Sequence, residues 1–169
     1  MFKAKDSFTL ANAALGVMAV AFLSFGYLVS FSLILLAILF DFFDGYHSRK
    51  TKTSNDFGKQ LDSLADTVSF VVAPGLIVLF SVTNKVFEVE IVLFALLSVI
   101  VFVMAGLTRL AKFNLQKNSK VYYGLPVPYA ALFFMGLTPF LGFNPVYAGV
   151  LGLVIAGLMV SNIKGRKLA

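Results

Sequence analysis

Four aspartates lie within two strongly apolar stretches of this 169-residue chain. Asp41 and Asp44 are three residues apart and Asp62 and Asp66 are four apart, so each pair lies on one face of a helix. A carboxylate inside a membrane helix costs about 2.5–3.5 kcal/mol on insertion scales, and neighbouring carboxylates repel one another unless cations lie between them. Hard divalent ions prefer such oxygen ligands. All four aspartates are therefore candidate ligands of Mg²⁺, Mn²⁺ or Ca²⁺.

Two glycines and an arginine accompany these aspartates at helical spacing. Gly45 follows Asp44 directly, Gly58 precedes Asp62 by four residues, and Arg49 lies one turn after Gly45. A glycine lets a base or a phosphate group approach the backbone closely, and a guanidinium group matches phosphate oxygens. We interpret the combination as a diphosphate site, in which two metal ions would stabilise an in-line displacement at phosphorus.

The composition is that of an integral membrane protein. Hydrophobic residues make up 59% of the chain and charged residues 13%, and the mean hydropathy is +0.91. There are no cysteines, which excludes disulfides and cysteine-based metal or redox sites. Any resident metal ion must therefore be held mainly by oxygen.

Six apolar runs approach the length of about 20 residues that a helix needs to cross a bilayer. Stretches such as LVSFSLILLAILF and IVLFALLSVIVFVMAGL are continuously apolar, as membrane helices are. The runs are Phe8–Ser24, Tyr27–Phe43, Gly58–Phe80, Val89–Ala111, Pro128–Leu141 and Val146–Asn162. We predict an all-α membrane protein, a bundle of six transmembrane helices that forms a single domain over residues 1–169.

The distribution of lysine and arginine predicts the orientation. With the N-terminus inside, every basic residue except Lys85 falls on the cytoplasmic side. An even number of spans with both termini in the cytoplasm satisfies this pattern. We therefore expect a multi-pass protein of the cell membrane, in contact with membrane lipids, whose aspartates face the cytoplasm. No nucleic-acid partner is expected.

The spacing of the polar residues resembles a known signature. Asp41-x2-Asp44-Gly45-x2-Ser48-Arg49-x8-Gly58-x3-Asp62-x3-Asp66 is similar to D-x2-D-G-x2-A-R-x8-G-x3-D-x3-D of the CDP-alcohol phosphotransferases. The only departure is Ser48, where the family usually has alanine. The resemblance implies six transmembrane helices, a homodimer and divalent metal ions. It also implies transfer of a phosphatidyl-type group from a CDP-lipid to an alcohol, with release of CMP.

The resemblance also implies a role for each position of the signature. It implies that Asp41, Asp44 and Asp62 are metal ligands and that Asp66 is both a ligand and the general base. Gly45, Ser48 and Gly58 would line the cytidine site, and Arg49 would contact the diphosphate.

Three further stretches resemble the phosphatidylserine synthases within this family. They are SFTLANAALG, FGKQLDSLADTVSFVVAP, and GLTRLAKFN followed by YYGLPVPYAA. The usual SFG is SFV here, at Val71, a change expected to affect helix packing more than chemistry. The resemblance implies L-serine as the acceptor, and the donor can be CDP-diacylglycerol or CDP-archaeol.

Several polar residues outside the signature are candidates for binding the acceptor. Arg109 or Lys112 could hold the carboxylate of serine, although basic residues at an inner helix end also satisfy the positive-inside rule without a ligand. Thr9, Asn12 and Asn114 are the other candidates.

Two alternative functions stay open at this point. One keeps the chemistry and takes glycerol phosphate or inositol phosphate as the acceptor. The other is an ion transporter that uses the aspartates as intramembrane carboxylates. A further pattern has two interpretations as well: Ala148, Gly152 and Ala156 form a small-x3-small row, which could pack against another subunit or against a helix of the same chain.

Overall fold

The computed structural model describes residues 4–51, 56–84, 86–115, 121–161 and 164–166. Within these ranges the side chains of residues 4–6, 44–51, 56, 121–123 and 164–166 are outside the description. All structural statements below concern the described residues.

The described chain is predominantly helical. The helices are α1 (Ala4–Ala21), α2 (Tyr27–Thr51), α3 (Asp56–Asp66), α4 (Ala73–Thr83), α5 (Val89–Leu115), α6 (Val127–Leu137) and α7 (Pro145–Val160). Short 3-10 turns follow α1 (Phe22–Phe25) and α6 (Pro139–Leu141). A π-helical turn (Thr67–Val72) joins α3 to α4, so that these two helices form one continuous rod.

Three helical stretches are long and apolar enough to cross a membrane. They are Ser7–Phe25, Phe57–Thr83 and Val89–Leu115, and the shorter apolar helices are Tyr27–Phe43, Val127–Leu141 and Pro145–Val160. Together these segments correspond to the six predicted runs. The prediction of a helical protein with long apolar helices is confirmed, and the crossing of all six helices stays a prediction.

The helices extend further than the apolar runs that predicted them. The second apolar run ends at Phe43, whereas α2 continues to Thr51. The fourth run ends at Ala111, whereas α5 continues to Leu115. Hydropathy measures which residues suit a lipid interior. Lysine, arginine and glutamine are good helix formers outside it, so polar residues prolong a helix beyond its apolar part.

Besides its helices the described chain forms one small sheet, which the all-α prediction did not include. Strands β1 (Val121–Tyr123) and β2 (Lys164–Arg166) pair in antiparallel register, with Val121 opposite Arg166 and Tyr123 opposite Lys164. Segments of three residues are too short for a period-2 pattern to be seen in the sequence. The sheet ties the chain after α7 to the segment that precedes α6.

The core extends through the bundle, with many of its buried residues on the π-helical turn and α4 and others on α5, α6 and α7. The rings of Phe102 and Phe134 lie 4.7 Å apart between centroids and are fully buried. A Cβ atom added to Gly152 would lie 3.1 Å from the ring of Phe134, and one added to Gly149 would lie 2.6 Å from the ring of Phe94. The small-residue row of α7, to which Gly152 belongs, is therefore buried against helices of its own chain.

Tyr27 fastens the end of the bundle that lies away from the aspartates. Residue 139 is a proline and has no N–H group to donate to the carbonyl of Met135, one turn earlier. The Tyr27 hydroxyl donates to this carbonyl at 2.6 Å, and the Tyr27 ring packs edge-on against Phe143. The side chain of α2 thus replaces a hydrogen bond that α6 cannot make.

Val71 packs against a glycine of α5. Its side chain is fully buried, and a Cβ atom on Gly106 would lie 2.8 Å from both of its methyl groups. Because a β-branched side chain in a helix has essentially one χ1 rotamer, Val71 cannot turn away. The valine that replaces the glycine of the usual SFG sequence is thus accommodated by Gly106 on the facing helix. This agrees with the expected effect on helix packing.

We expect Gly106→Ala to destabilise the protein through this contact. Overpacking costs about 1–3 kcal/mol, which the better helix propensity of alanine offsets by at most about 1 kcal/mol. Val71→Ala alone should also destabilise, by about 1.5 kcal/mol of lost burial. In the double variant the new methyl group fills the space that valine leaves. The double variant should therefore lose less stability than the sum of the losses in the two single variants. Thermal unfolding in detergent measures all three, and strictly additive losses would refute the contact.

Candidate active site

Three of the four predicted aspartates converge in space. Asp41 comes from α2, and Asp62 and Asp66 come from successive turns of α3. One carboxylate oxygen from each lies within 4.8 Å of the others, and all three side chains are half-buried. The i, i+4 spacing on α3 and the antiparallel approach of α2 produce this convergence, as the sequence predicted.

The donor set and its spacing fit a divalent metal ion. Mg²⁺ holds oxygen ligands at about 2.0–2.1 Å, so two ligands on opposite sides of the ion are about 4 Å apart, and Ca²⁺ accepts ligands at about 2.3–2.6 Å. The three carboxylate oxygens lie within 4.8 Å of one another, which is compatible with ligands of either ion. Three mutually repelling carboxylates also gain more from a bound cation than isolated ones would.

The remaining signature positions lie on the same two helices. Helix α2 runs without a break from Asp41 through Gly45 to Thr51, and Gly58 is buried in α3 one turn before Asp62. The side chains of Asp44, Ser48 and Arg49 lie outside the described residues. Their assignment to the metal and diphosphate sites stays a prediction.

Asn12 reaches the aspartates from α1. Its side-chain Nδ2 donates a long hydrogen bond of 3.4 Å to Oδ1 of Asp66, and only 1% of the residue is exposed. Thr9, one turn earlier on α1, is also buried. The first helix therefore supplies one polar group, the Asn12 amide, to the cluster. The predicted acceptor binding by Thr9 and Asn12 stays a prediction.

Arg109 and Lys112 differ in their surroundings although they are only three residues apart. Arg109 is 8% exposed, acts electrostatically on Asp66, and lies with its guanidinium carbon 5.7 Å from the centroid of the Phe113 ring. Lys112 is exposed. The fifth helix thus turns its arginine towards the carboxylates and leaves its lysine at the surface.

Asn114 has a partner that the sequence did not indicate. Ser63 donates its hydroxyl to Oδ1 of Asn114 at 3.1 Å, and Nδ2 of Asn114 donates back to the Ser63 hydroxyl at 2.8 Å. The two residues are 51 positions apart, so no local pattern reveals the pair. It fastens the helix that carries Asp62 and Asp66 to the end of α5.

A second residue missed by sequence reasoning is Ser69, in the π-helical turn after Asp66. Its hydroxyl is fully buried and donates to the backbone carbonyl of Asn12 at 2.8 Å. No local pattern in the sequence indicates this contact, because Ser69 meets α1 through residues far away in the chain; a Cβ atom on Gly16 would lie 2.7 Å from Cα of Ser69.

Comparison with known proteins identifies the class to which this fold and site belong. The CDP-alcohol phosphatidyltransferase family matches residues 4–161, and the chain belongs to this family. The family prediction made from the aspartate signature is confirmed.

Individual relatives are similar over nearly the whole chain. A CDP-diacylglycerol–serine O-phosphatidyltransferase of Methanocaldococcus jannaschii is 40% identical over 162 residues, covering 96% of this chain and 73% of the relative. The enzyme of that name in Bacillus subtilis is 30% identical, covering 92% and 85%. An archaetidylserine synthase of Methanothermobacter thermautotrophicus is 33% identical, covering 94% and 67%.

We expect the hydrogen-bonded pair of Ser63 and Asn114 to contribute to stability as a unit. Ser63→Ala and Asn114→Ala should each lower the free energy of unfolding by about 1 kcal/mol. The double variant should lose about as much as one single variant, because the same interaction is removed once. Thermal unfolding in detergent provides the measurement.

Ser32→Ala is the matched control for this cycle, because the exposed Ser32 hydroxyl bonds only within its own helix, to the carbonyl of Leu28. It should change stability by less than about 0.5 kcal/mol. Additive losses in the Ser63 and Asn114 variants would show that the two side chains act separately.

Proposed function

We propose that this protein transfers the phosphatidyl or archaetidyl group of a CDP-activated lipid to the hydroxyl group of L-serine and releases CMP. The observation that carries the proposal is the meeting of Asp41, Asp62 and Asp66 within 4.8 Å. Family membership supports the reaction class, and the names of the relatives support serine as the acceptor. The reaction belongs to phospholipid biosynthesis.

The four aspartates of the signature would hold the metal ions, with Asp44 completing the described trio. When bound, two Mg²⁺ or Mn²⁺ ions would supply positive charge to the diphosphate oxygens and to the departing phosphate. In the same site Gly45, Ser48 and Gly58 would leave room for the cytidine, and Arg49 would bind the diphosphate.

Asp66 would act as the general base. Its carboxylate takes the proton of the serine hydroxyl, and the hydroxyl oxygen forms a bond to the phosphorus atom that carries the lipid. The bond from this phosphorus to the bridging oxygen breaks, and that oxygen leaves with its electron pair as part of CMP. Asn12 donates a hydrogen bond to this carboxylate from α1 and Arg109 acts on it from α5, so groups on two other helices would orient it.

Arg109 would bind the carboxylate of serine. It is the buried cation beside Asp66, whereas Lys112 is exposed. The hydroxyl and the carboxylate of serine are separated by only two carbon atoms besides the carboxyl carbon, so an acceptor held by Arg109 keeps its hydroxyl close to the base. Thr9 would add a polar group to this side of the site, whereas Asn114 is engaged with Ser63.

The setting that we propose for this site is the cell membrane. All six apolar segments would cross it, with both termini and the aspartates on the cytoplasmic side, as the distribution of basic residues favours. The chain would form one domain and work as a homodimer. Its donor would be CDP-diacylglycerol or CDP-archaeol, since apolar helices accept either hydrocarbon.

An acceptor screen tests the proposed reaction. Purified protein with one CDP-lipid should release CMP with L-serine and Mg²⁺ or Mn²⁺, and release should cease when the metal is chelated. Glycerol phosphate and inositol phosphate serve as competing acceptors, and preference for either would replace serine in the proposal. Metal flux without CMP release would favour the ion transporter, against which membership of a transferase family argues.

Asp66→Asn tests the role of the general base. The substitution keeps the size of the side chain and the ability to form hydrogen bonds, but the amide cannot accept the proton. We expect kcat to fall by about 10²–10⁴-fold, with the protein still folded by thermal unfolding in detergent. Full activity in a folded variant would remove Asp66 from this role.

A further inference from the structure

Asn12 combines extreme burial with an incomplete set of hydrogen bonds. Only 1% of the residue is exposed. Its Nδ2 donates to Oδ1 of Asp66, while its own side-chain oxygen Oδ1 is buried and has no hydrogen-bond partner. A buried acceptor without a partner lowers stability, and an apolar residue of the same shape would not carry that penalty. The amide at this position therefore needs an explanation other than packing.

The backbone around Asn12 is fixed against the segment that follows Asp66. The Ser69 hydroxyl donates to the main-chain carbonyl of Asn12 at 2.8 Å. One turn further along α1, Gly16 lies so close to Ser69 that a Cβ atom would come within 2.7 Å of its Cα. Because Ser69 is three residues from Asp66 in the same rod, the backbones that carry Asn12 and Asp66 cannot easily move apart.

The hydrogen bond between Asn12 and Asp66 thus joins two side chains whose backbone segments are held close together. A carboxylate can rotate about its last side-chain bond, a broad torsion with weak preferences. A donor held from a neighbouring helix restricts that rotation. An amide is suited to the task because it donates a hydrogen bond without bringing a positive charge that would compete with a metal ion for the carboxylate.

We infer that Asn12 is a positioning residue, which holds the carboxylate of Asp66 in the orientation that receives the proton of the acceptor. This inference rests on the proposed function of Asp66 as the general base. It revises the expectation that Asn12 binds the acceptor directly. The Asn12 side chain is buried from solvent, and its hydrogen bond is made to Asp66.

Asn12→Leu tests the inference, since leucine has nearly the same shape and neither donates nor accepts hydrogen bonds. We expect kcat to fall at least tenfold, the KM values for the CDP-lipid and the acceptor to stay within about twofold, and the melting temperature in detergent to stay unchanged or rise. A merely structural role would not combine lower kcat with undiminished stability. If Asn12→Leu does not fold, Asn12→Ser, which is too short to reach Asp66, is assessed by the same criteria.

Ser30→Ala is the matched control, because Ser30 is also fully buried with an unpartnered side-chain oxygen. It lies on α2 three turns before Asp41, and its removal should leave kcat unchanged. Loss of kcat in both variants would mean that any change to a buried polar residue disturbs the enzyme, which would overturn the inference.

Three further outcomes of the Asn12 experiment would also overturn it. They are an unchanged kcat, a raised KM for the acceptor with intact kcat, which would indicate direct binding, and a loss of kcat that parallels a loss of stability. Failure of the proposed function is a separate result, seen when the wild-type protein releases no CMP with L-serine. The kcat values of variant and wild type are therefore compared with the acceptor that the wild type uses. The effect of positioning the general base does not depend on which acceptor loses its proton.

Discussion

Repulsion between carboxylates is the constraint that the rest of this structure has to meet. Repulsion would drive α2, which carries Asp41, away from α3, which carries Asp62 and Asp66, if the two helices were free to move. Two kinds of contact prevent separation without relying on the carboxylates themselves. Helix α1 packs against both α2 and α3. Hydrogen bonds then join α1 to the π-helical turn through Ser69, and α3 to α5 through Ser63 and Asn114.

The opposite end of the bundle contributes rigidity of another kind. There the packing is apolar and tight, and the rings of Phe94 and Phe134 pack against Gly149 and Gly152 of α7. The Tyr27 hydroxyl restores the hydrogen bond that Pro139 cannot make. Tyr27 is 14 residues before Asp41, about 21 Å along α2. A helix anchored at this distance presents its aspartate at a fixed place, so the apolar half of the bundle supports the polar half.

Much of the site could be predicted because helical spacing is a local property. The i, i+3 and i, i+4 intervals place Asp41 with Asp44 and Asp62 with Asp66, whatever the rest of the chain does. Contacts between distant segments could not be predicted in this way. The Ser63 and Asn114 pair, the Val71 and Gly106 contact and the short sheet depend on which helices become neighbours.

Helix ends were also beyond the reach of hydropathy, for a physical reason. A run of apolar residues predicts the part of a helix that suits lipid, but a helix ends where its backbone hydrogen bonds are interrupted. Residues 44–51 continue α2 although Gly45 has a low helix propensity and only Arg49 and Lys50 among them are strong helix formers; none of them is proline, so no backbone hydrogen bond is lost. Ser48 and Arg49, which lie beyond the second apolar run, therefore belong to helix α2.

The site keeps two features that a chain folded only for stability would not need. A cluster of three half-buried carboxylates could be replaced by apolar side chains that suit the bundle better, and the unpartnered oxygen of Asn12 would vanish with a leucine. Both features involve Asp66, and the close crossing of Gly16 and Ser69 lies beside them. Because neighbouring helices hold this carboxylate in place at a cost in local stability, the simplest physical explanation is that it takes part in the chemistry.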